Sequence, residues 1–248
     1  KKLHETLIST PMQFLVIAED HKVTDVARDI STLWSQVSTG EDRPRFQMTP
    51  IREQRGEIWL TNTQVNFCAR AYPTVTEQHP DAAALTVLGG FLRNGFLHRA
   101  IREQGGAYGG GASHDSGIAA FRFYSYRDPR LVETLQDFDA SVSWLLDTPH
   151  DGRSLEEAIL GVIGSMDKPG SPAGEAKQHF HNRLFGRNHE TRERFRENIL
   201  GVSLDDLRRV TETYLRPDLA STAIVTNSGQ LEATASLREE LNLSVQEL

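Results

Sequence analysis

The 248 residues carry 27 Lys plus Arg against 34 Asp plus Glu, a formal charge of −7, with 38% hydrophobic and 8% aromatic residues. Such a length can bury a substantial core, and the composition excludes a disordered chain. The acidic balance and the lack of any basic block exclude a nucleic-acid binder held by phosphate contacts. No apolar run is long enough to span a bilayer. Cys68 is the only cysteine, so neither an intrachain disulfide nor a cysteine-based zinc site can form. The chain opens on Lys1-Lys2, not Met, and is expected to be a processed or excised piece. Its compartment, whether bacterial cytoplasm, periplasm or an organelle, is not written in the residues.

Met12 to Ala18 reads as a short buried strand, and Val23 to Val37 carries Val26, Ile30, Leu33, Trp34 and Val37 at helical spacing. Thr39 to Gly56 reads as a long polar connection. Strand character returns from Ile58 to Tyr72, where Val65, Phe67, Ala69 and Ala71 alternate against Asn66, Cys68 and Arg70. Cys68 falls inside this strand pattern, where a small buried hydrophobe is the default.

Pro80-Asp81 opens the longest predicted helix, which runs through Leu85, Leu88, Phe91, Leu92 and Phe96 to about Gln104, with Gly105 just past its end. Ala107 to His114 and Gly117 to Tyr126 read as two strands joined around Asp115-Ser116-Gly117. Helical segments follow at Arg130–Leu146, Ser154–Met166, Ala173–Phe185, Arg192–Leu200 and Asp205–Leu215. A last buried strand spans Ala220–Thr226, and a short helix ends near Leu241. Paired strands separated by helices and closed by a helical run predict an α+β fold with a largely antiparallel sheet and a helical C-terminal half. With no repeat and no composition shift, residues 1–248 read as a single domain.

The densest chemical signal is Arg102-Glu-Gln-Gly-Gly-Ala-Tyr108-Gly-Gly-Gly111, five glycines within seven residues, the first pair flanked by a cation and a phenol. A phosphate loop is excluded by order. Nucleotide sites run strand, glycine turn, helix, whereas here a helix C-terminus faces the turn. The 9 histidines show no His-x-x-Glu-His or His-Glu-x-x-His spacing, and Glu175 with His179 lacks a third zinc ligand. Ser113-His114-Asp115 is contiguous, so its side chains diverge and cannot form a triad.

At 100° per residue, Arg102 projects within the arc of Leu88, Phe91 and Leu92. Two readings stay open there: a cation neutralising the helix C-terminus, or a guanidinium reaching over the sheet to a carbonyl or carboxylate. Tyr108 at a strand start is the kind of residue that packs with its hydroxyl at the surface. The bare backbone of Gly105, Gly106, Gly109, Gly110 and Gly111 suits an extended peptide adding alongside by main-chain hydrogen bonds.

The run Phe96-Leu-His-Arg-Ala-Ile-Arg102-Glu-Gln-Gly-Gly-Ala-Tyr108-Gly resembles the Arg…Gly-Gly-Ala-Tyr-Gly signature of the pitrilysin/insulinase superfamily of zinc metallopeptidases, and more narrowly its presequence-protease branch. Gln64-Val-Asn-Phe67, Asp167-Lys-Pro-Gly-Ser-Pro-Ala173 and Arg194-Phe-Arg-Glu-Asn-Ile-Leu200 resemble other parts of that branch. The resemblance implies the last of four homologous domains of a longer peptidase acting on short unstructured peptides. It implies Arg102 and Tyr108 as the pair that orients the substrate backbone, with Gly105, Gly106, Ala107, Gly109 and Gly110 lining the peptide site. Zinc is then bound by residues outside this chain, whose partners are the N-terminal domains of the same polypeptide and an extended peptide. The isolated chain is expected to be inactive. The alternative is a non-catalytic scaffold or peptide-binding subunit of the same superfamily.

Overall fold

In a computed structural model, the chain is described over residues 1–9, 12–35, 52–168, 170–231 and 234–247. It divides into two units, Lys1–Ile51 with Pro169–Asn188, and Arg52–Lys168 with His189–Leu248. The elements in chain order are α1 (Lys2–Ile8), α2 (Asp20–Trp34), β1 (Gly56–Leu60), β2 (Asn66–Pro73) and α3 (Ala82–Leu92), which continues as a π-helix over Arg93–Gln104. Then come β3 (Gly109–Asp115), β4 (Ala120–Asp128), α4 (Val132–Asp147), α5 (Gly152–Met166), α6 (Pro172–Leu184), α7 (His189–Leu200), α8 (Leu204–Tyr214), β5 (Ser221–Thr226), α9 (Ala235–Glu240) and β6 (Ser244–Glu247).

The first unit holds α1, α2 and α6. Ser171 caps α6, its hydroxyl accepting from the Gly174 N–H, and Pro172 takes the first turn. The predicted strand at Met12–Ala18 is not one. Phe14 and Ile17 are exposed, and no ladder neighbour pairs this stretch among the described residues. An apolar run becomes a strand only where another backbone takes its N–H and C=O groups. The polar connection predicted over Thr39–Gly56 lies mostly outside the described residues, as does the end of the helix predicted to Val37.

The second unit is a six-stranded mixed sheet in the order β3-β4-β2-β5-β1-β6. The pairs β3–β4, β4–β2 and β2–β5 are antiparallel, and β5–β1 and β1–β6 are parallel. The α+β expectation therefore holds, with the antiparallel pairs on the β3 side. One predicted strand, Ile58–Tyr72, is two strands broken at residues 61–65, and the edge strand β6 gave no signal in the sequence.

Helix α3 has almost no polar face, and nine of its residues from Ala82 to Leu92 are buried. Such a helix must lie between other elements. Gly89 lets its backbone approach β3, since a Cβ there would come within 2.9 Å of the Ser113 Cα. Phe121, Phe123 and Phe138 complete the core, all fully buried. Helix α8 docks by Asp81, which accepts from the Tyr214 hydroxyl at 2.7 Å and pairs with Arg209 at 2.8 Å. A capping box of Ser203 and Asp206 starts that helix.

Strand β2 turns Asn66, Cys68, Arg70 and Tyr72 inward, and Phe67 and Ala69 are exposed. The polar members of the inner face each have a partner, although the buried Arg70 Nε has none among the described residues. Asn66 donates to the Asp128 and Arg130 carbonyls and accepts from Thr226, while Arg70 pairs with Asp139. Burial of these groups is tolerable only because each has a partner.

Candidate functional site

The π-helix decides where Arg102 points. Wide i→i+5 turns take more residues per revolution than the α-helical 3.6, so buried positions fall at Leu88, Leu92, Leu97 and Ile101. Arg102 is thereby exposed, next to buried Ile101, instead of sharing the arc of Leu88, Phe91 and Leu92. Its side chain makes no hydrogen bond or ion pair among the described residues. The cation serving the helix end is a different one, Arg130, which the sequence reading missed. Its Nη2 donates to the Ala100 carbonyl at 3.1 Å and to Asp137 at 2.8 Å. Nothing in the local sequence marks Arg130 for this, because it arrives from the far side of the β3–β4 hairpin.

The helix closes in a left-handed cap. Gly106 has φ +78, its N–H donates to the Arg102 carbonyl, and the Ala107 N–H reaches back to Ile101, both at 3.1 Å. Only glycine takes that φ without strain. The other glycines answer to packing. A Cβ on Gly105 would lie 2.5 Å from the Ile101 carbonyl and strike the Arg130 guanidinium. On Gly109 it would lie 2.6 Å from the Tyr126 Cζ, and on Gly110 2.8 Å from the Tyr124 carbonyl. Gly105, Ala107 and Gly109 are buried and Gly106 is exposed. Much of the bareness of this segment therefore lets the helix, the hairpin and Arg130 close on one another.

Tyr108 follows the cap at 65% exposure. Its N–H donates to the Arg127 carbonyl at 3.2 Å. Its ring lies 5.7 Å from that of Tyr126, and the Arg127 guanidinium sits 5.5 Å from its centroid. Beyond it β3 is the last strand of its side of the sheet, paired only with β4 among the described residues. A free cation, an accessible phenol and an unpaired strand edge thus flank one corner. The arrangement can donate hydrogen bonds to a carbonyl and can take another extended backbone alongside. A cavity of about 780 Å³, lined by Arg70, Asp139, Thr222 and Leu241 among others, includes none of the predicted site residues.

Among the described residues, no three His, Cys, Asp or Glu side chains converge as a metal site requires. The described residues therefore do not fit zinc. Among them, too, no helix is long and apolar enough to cross a membrane.

A mixed sheet whose β3–β4 hairpin is entered from a long buried helix is a fold shared with pitrilysin. The solved pitrilysin structure superposes with a TM-score of 0.66 at 15% identity, covering 92% of this chain and 25% of that one. Residues 56–225 match the family described as the PreP C-terminal domain, and the chain belongs to that family. The mitochondrial presequence protease of Kluyveromyces lactis is 40% identical over 163 residues, covering 65% of this chain and 16% of that protein. Its counterpart in Eremothecium gossypii is 39% identical over 215 residues, covering 84% and 21%. The chain thus spans about a sixth to a fifth of the length of these relatives.

Proposed function

We propose that this chain is the C-terminal, non-zinc-binding domain of a zinc metalloendopeptidase that degrades short unstructured peptides, and that Arg102 and Tyr108 orient the substrate backbone. The observation that carries the reading is that both side chains are exposed on either side of a glycine cap, at a sheet edge that, like Arg102, has no partner among the described residues. The Arg102 guanidinium and the Tyr108 hydroxyl donate to the carbonyl oxygen of the bond to be cut, where negative charge develops. The peptide lies extended beside the Gly105–Gly110 backbone and β3, held by main-chain hydrogen bonds that read length and disorder more than sequence. Zinc is held by residues outside this chain, in the N-terminal domains of the same polypeptide. The isolated chain therefore binds peptide without hydrolysing it. The relatives reported above are mitochondrial by name, which supports an organelle interior as the compartment.

The test uses the full-length enzyme and a short fluorogenic peptide. Arg102→Ala and Tyr108→Phe each lower kcat, by about 10²- to 10³-fold for a donor lost at a developing oxyanion. Turnover unchanged by both substitutions overturns the assignment and leaves the chain as a scaffold or peptide-binding subunit.

A further inference from the structure

Strand β4 carries an irregularity beside the site. Asn66 of β2 pairs with Asp128 and Cys68 pairs with Ser125, so Tyr126 and Arg127 together stand opposite Phe67. That is a β-bulge, a device that re-aims a side chain and is common beside active sites. Arg127 takes the left-handed position of the bulge at φ +49. Glycine occupies such a position without cost, and a long side chain does not. Keeping an arginine on strained backbone is explained by what its side chain touches. The guanidinium lies 5.5 Å from the centroid of the Tyr108 ring, and the Tyr126 ring stands 5.7 Å from the same ring. The Arg127 carbonyl accepts the Tyr108 N–H, so one residue holds both the backbone and the ring of the phenol.

We propose that Arg127 is a positioning residue that fixes the Tyr108 ring, and so its hydroxyl, in the orientation that meets the peptide carbonyl. This rests on the role given to Tyr108 above. At 65% exposure the Tyr108 ring has little else to confine it, and a freed tyrosine spreads over about three staggered wells. Losing one orientation among three, together with the cation–π contact, lowers the rate by about three- to tenfold.

The experiment measures turnover of a short fluorogenic peptide by the full-length enzyme. Arg127→Gly removes the side chain and relieves the backbone, with Arg127→Asn as a second substitution that tolerates left-handed φ. Both are expected to lower kcat about three- to tenfold, with KM held and the unfolding midpoint held or raised, and Arg127→Lys to recover at least about half of the loss. In a Tyr108→Phe background, Arg127→Gly is expected to add less than about a twofold change, because the hydroxyl it positions is gone. Wild-type kcat in Arg127→Gly, or an equal loss in both backgrounds, overturns the inference. Should Tyr108→Phe alone leave turnover intact, the role of Tyr108 itself falls. A Tyr108→Phe defect beside an inert Arg127→Gly sinks only the present proposal.

Discussion

Replacing Gly105 by Ala tests whether the glycine cluster is shaped by internal packing. The added methyl would sit 2.5 Å from the Ile101 carbonyl and 2.5 Å from the Arg130 Cζ. The carbonyl belongs to the helix end and moves little, so the guanidinium must leave. Arg130 then gives up its bonds to the Ala100 carbonyl and to Asp137, both part-buried. A hydrogen bond to a charged group contributes about 1.5–3 kcal/mol; the part-exposed guanidinium and carboxylate recover much of the loss of the two in water, and the remaining clash adds to it. We expect a loss of about 2–3 kcal/mol, which lowers Tm by roughly 4–12 °C for a unit of this size. Urea unfolding measures the free energy directly, in the parent and in an Arg130→Ala background. With Arg130 already gone, only the Ile101 contact remains, and the penalty should shrink by at least about 1 kcal/mol. Equal penalties in the two backgrounds, or a penalty under about 0.5 kcal/mol in the parent, would refute the packing argument.

Two further predictions concern groups elsewhere in the second unit. Burial alone would raise the Asp81 carboxyl, but the Tyr214 hydroxyl and the Arg209 guanidinium outweigh it and hold it below its ordinary 3.8. A depressed carboxyl stabilises the fold above that value and loses its contribution as pH falls through the folded-state pKa. Asp81→Asn should therefore cost about 1–3 kcal/mol at pH 7, and the difference from wild type should narrow below pH 3.8 in acid unfolding curves. A gap that stays constant with pH would contradict it. Burial pushes the Cys68 thiol up to about 12, with a smaller opposing pull from Ser125. Iodoacetamide at pH 8 should leave the native protein unlabelled and modify it fully in denaturant, because the reactive thiolate is absent. Labelling of the native protein at the rate of the denatured one would count against this burial.

The helices α4 to α8 were legible in the sequence because their apolar residues recur at a period set by the backbone alone. The α+β class followed from the order of elements. What stayed illegible depends on distant partners. Alternation located β2 but not its inner face, which is decided by Thr226, Asp128, Arg130 and Asp139 supplying partners for Asn66 and Arg70. The stretch Met12–Ala18 has a strand's composition without a strand's neighbour. At the site, Arg102 and Tyr108 stood out by their motif, yet the face of Arg102 was misread from a 3.6-residue period where the helix is π. Arg127 and Arg130 carried no local sign, since both come from across the hairpin. The bareness of the glycines suits a ligand in the sequence, and the structure shows that several also make room for Arg130, Tyr126 and Ile101.

The π-helical turns make chain length in that helix a setting for the reactive corner. Between Arg93 and Gln104 each revolution spends surplus residues, so the segment can shorten by one and tighten into an ordinary α-helix without losing its ladder. Within the helix, the positions after the missing residue would then turn by about 100°, carrying Arg102 off its present face and the buried Leu97 and Ile101 with it. A single-codon deletion there thus reaches the corner without altering any residue of it.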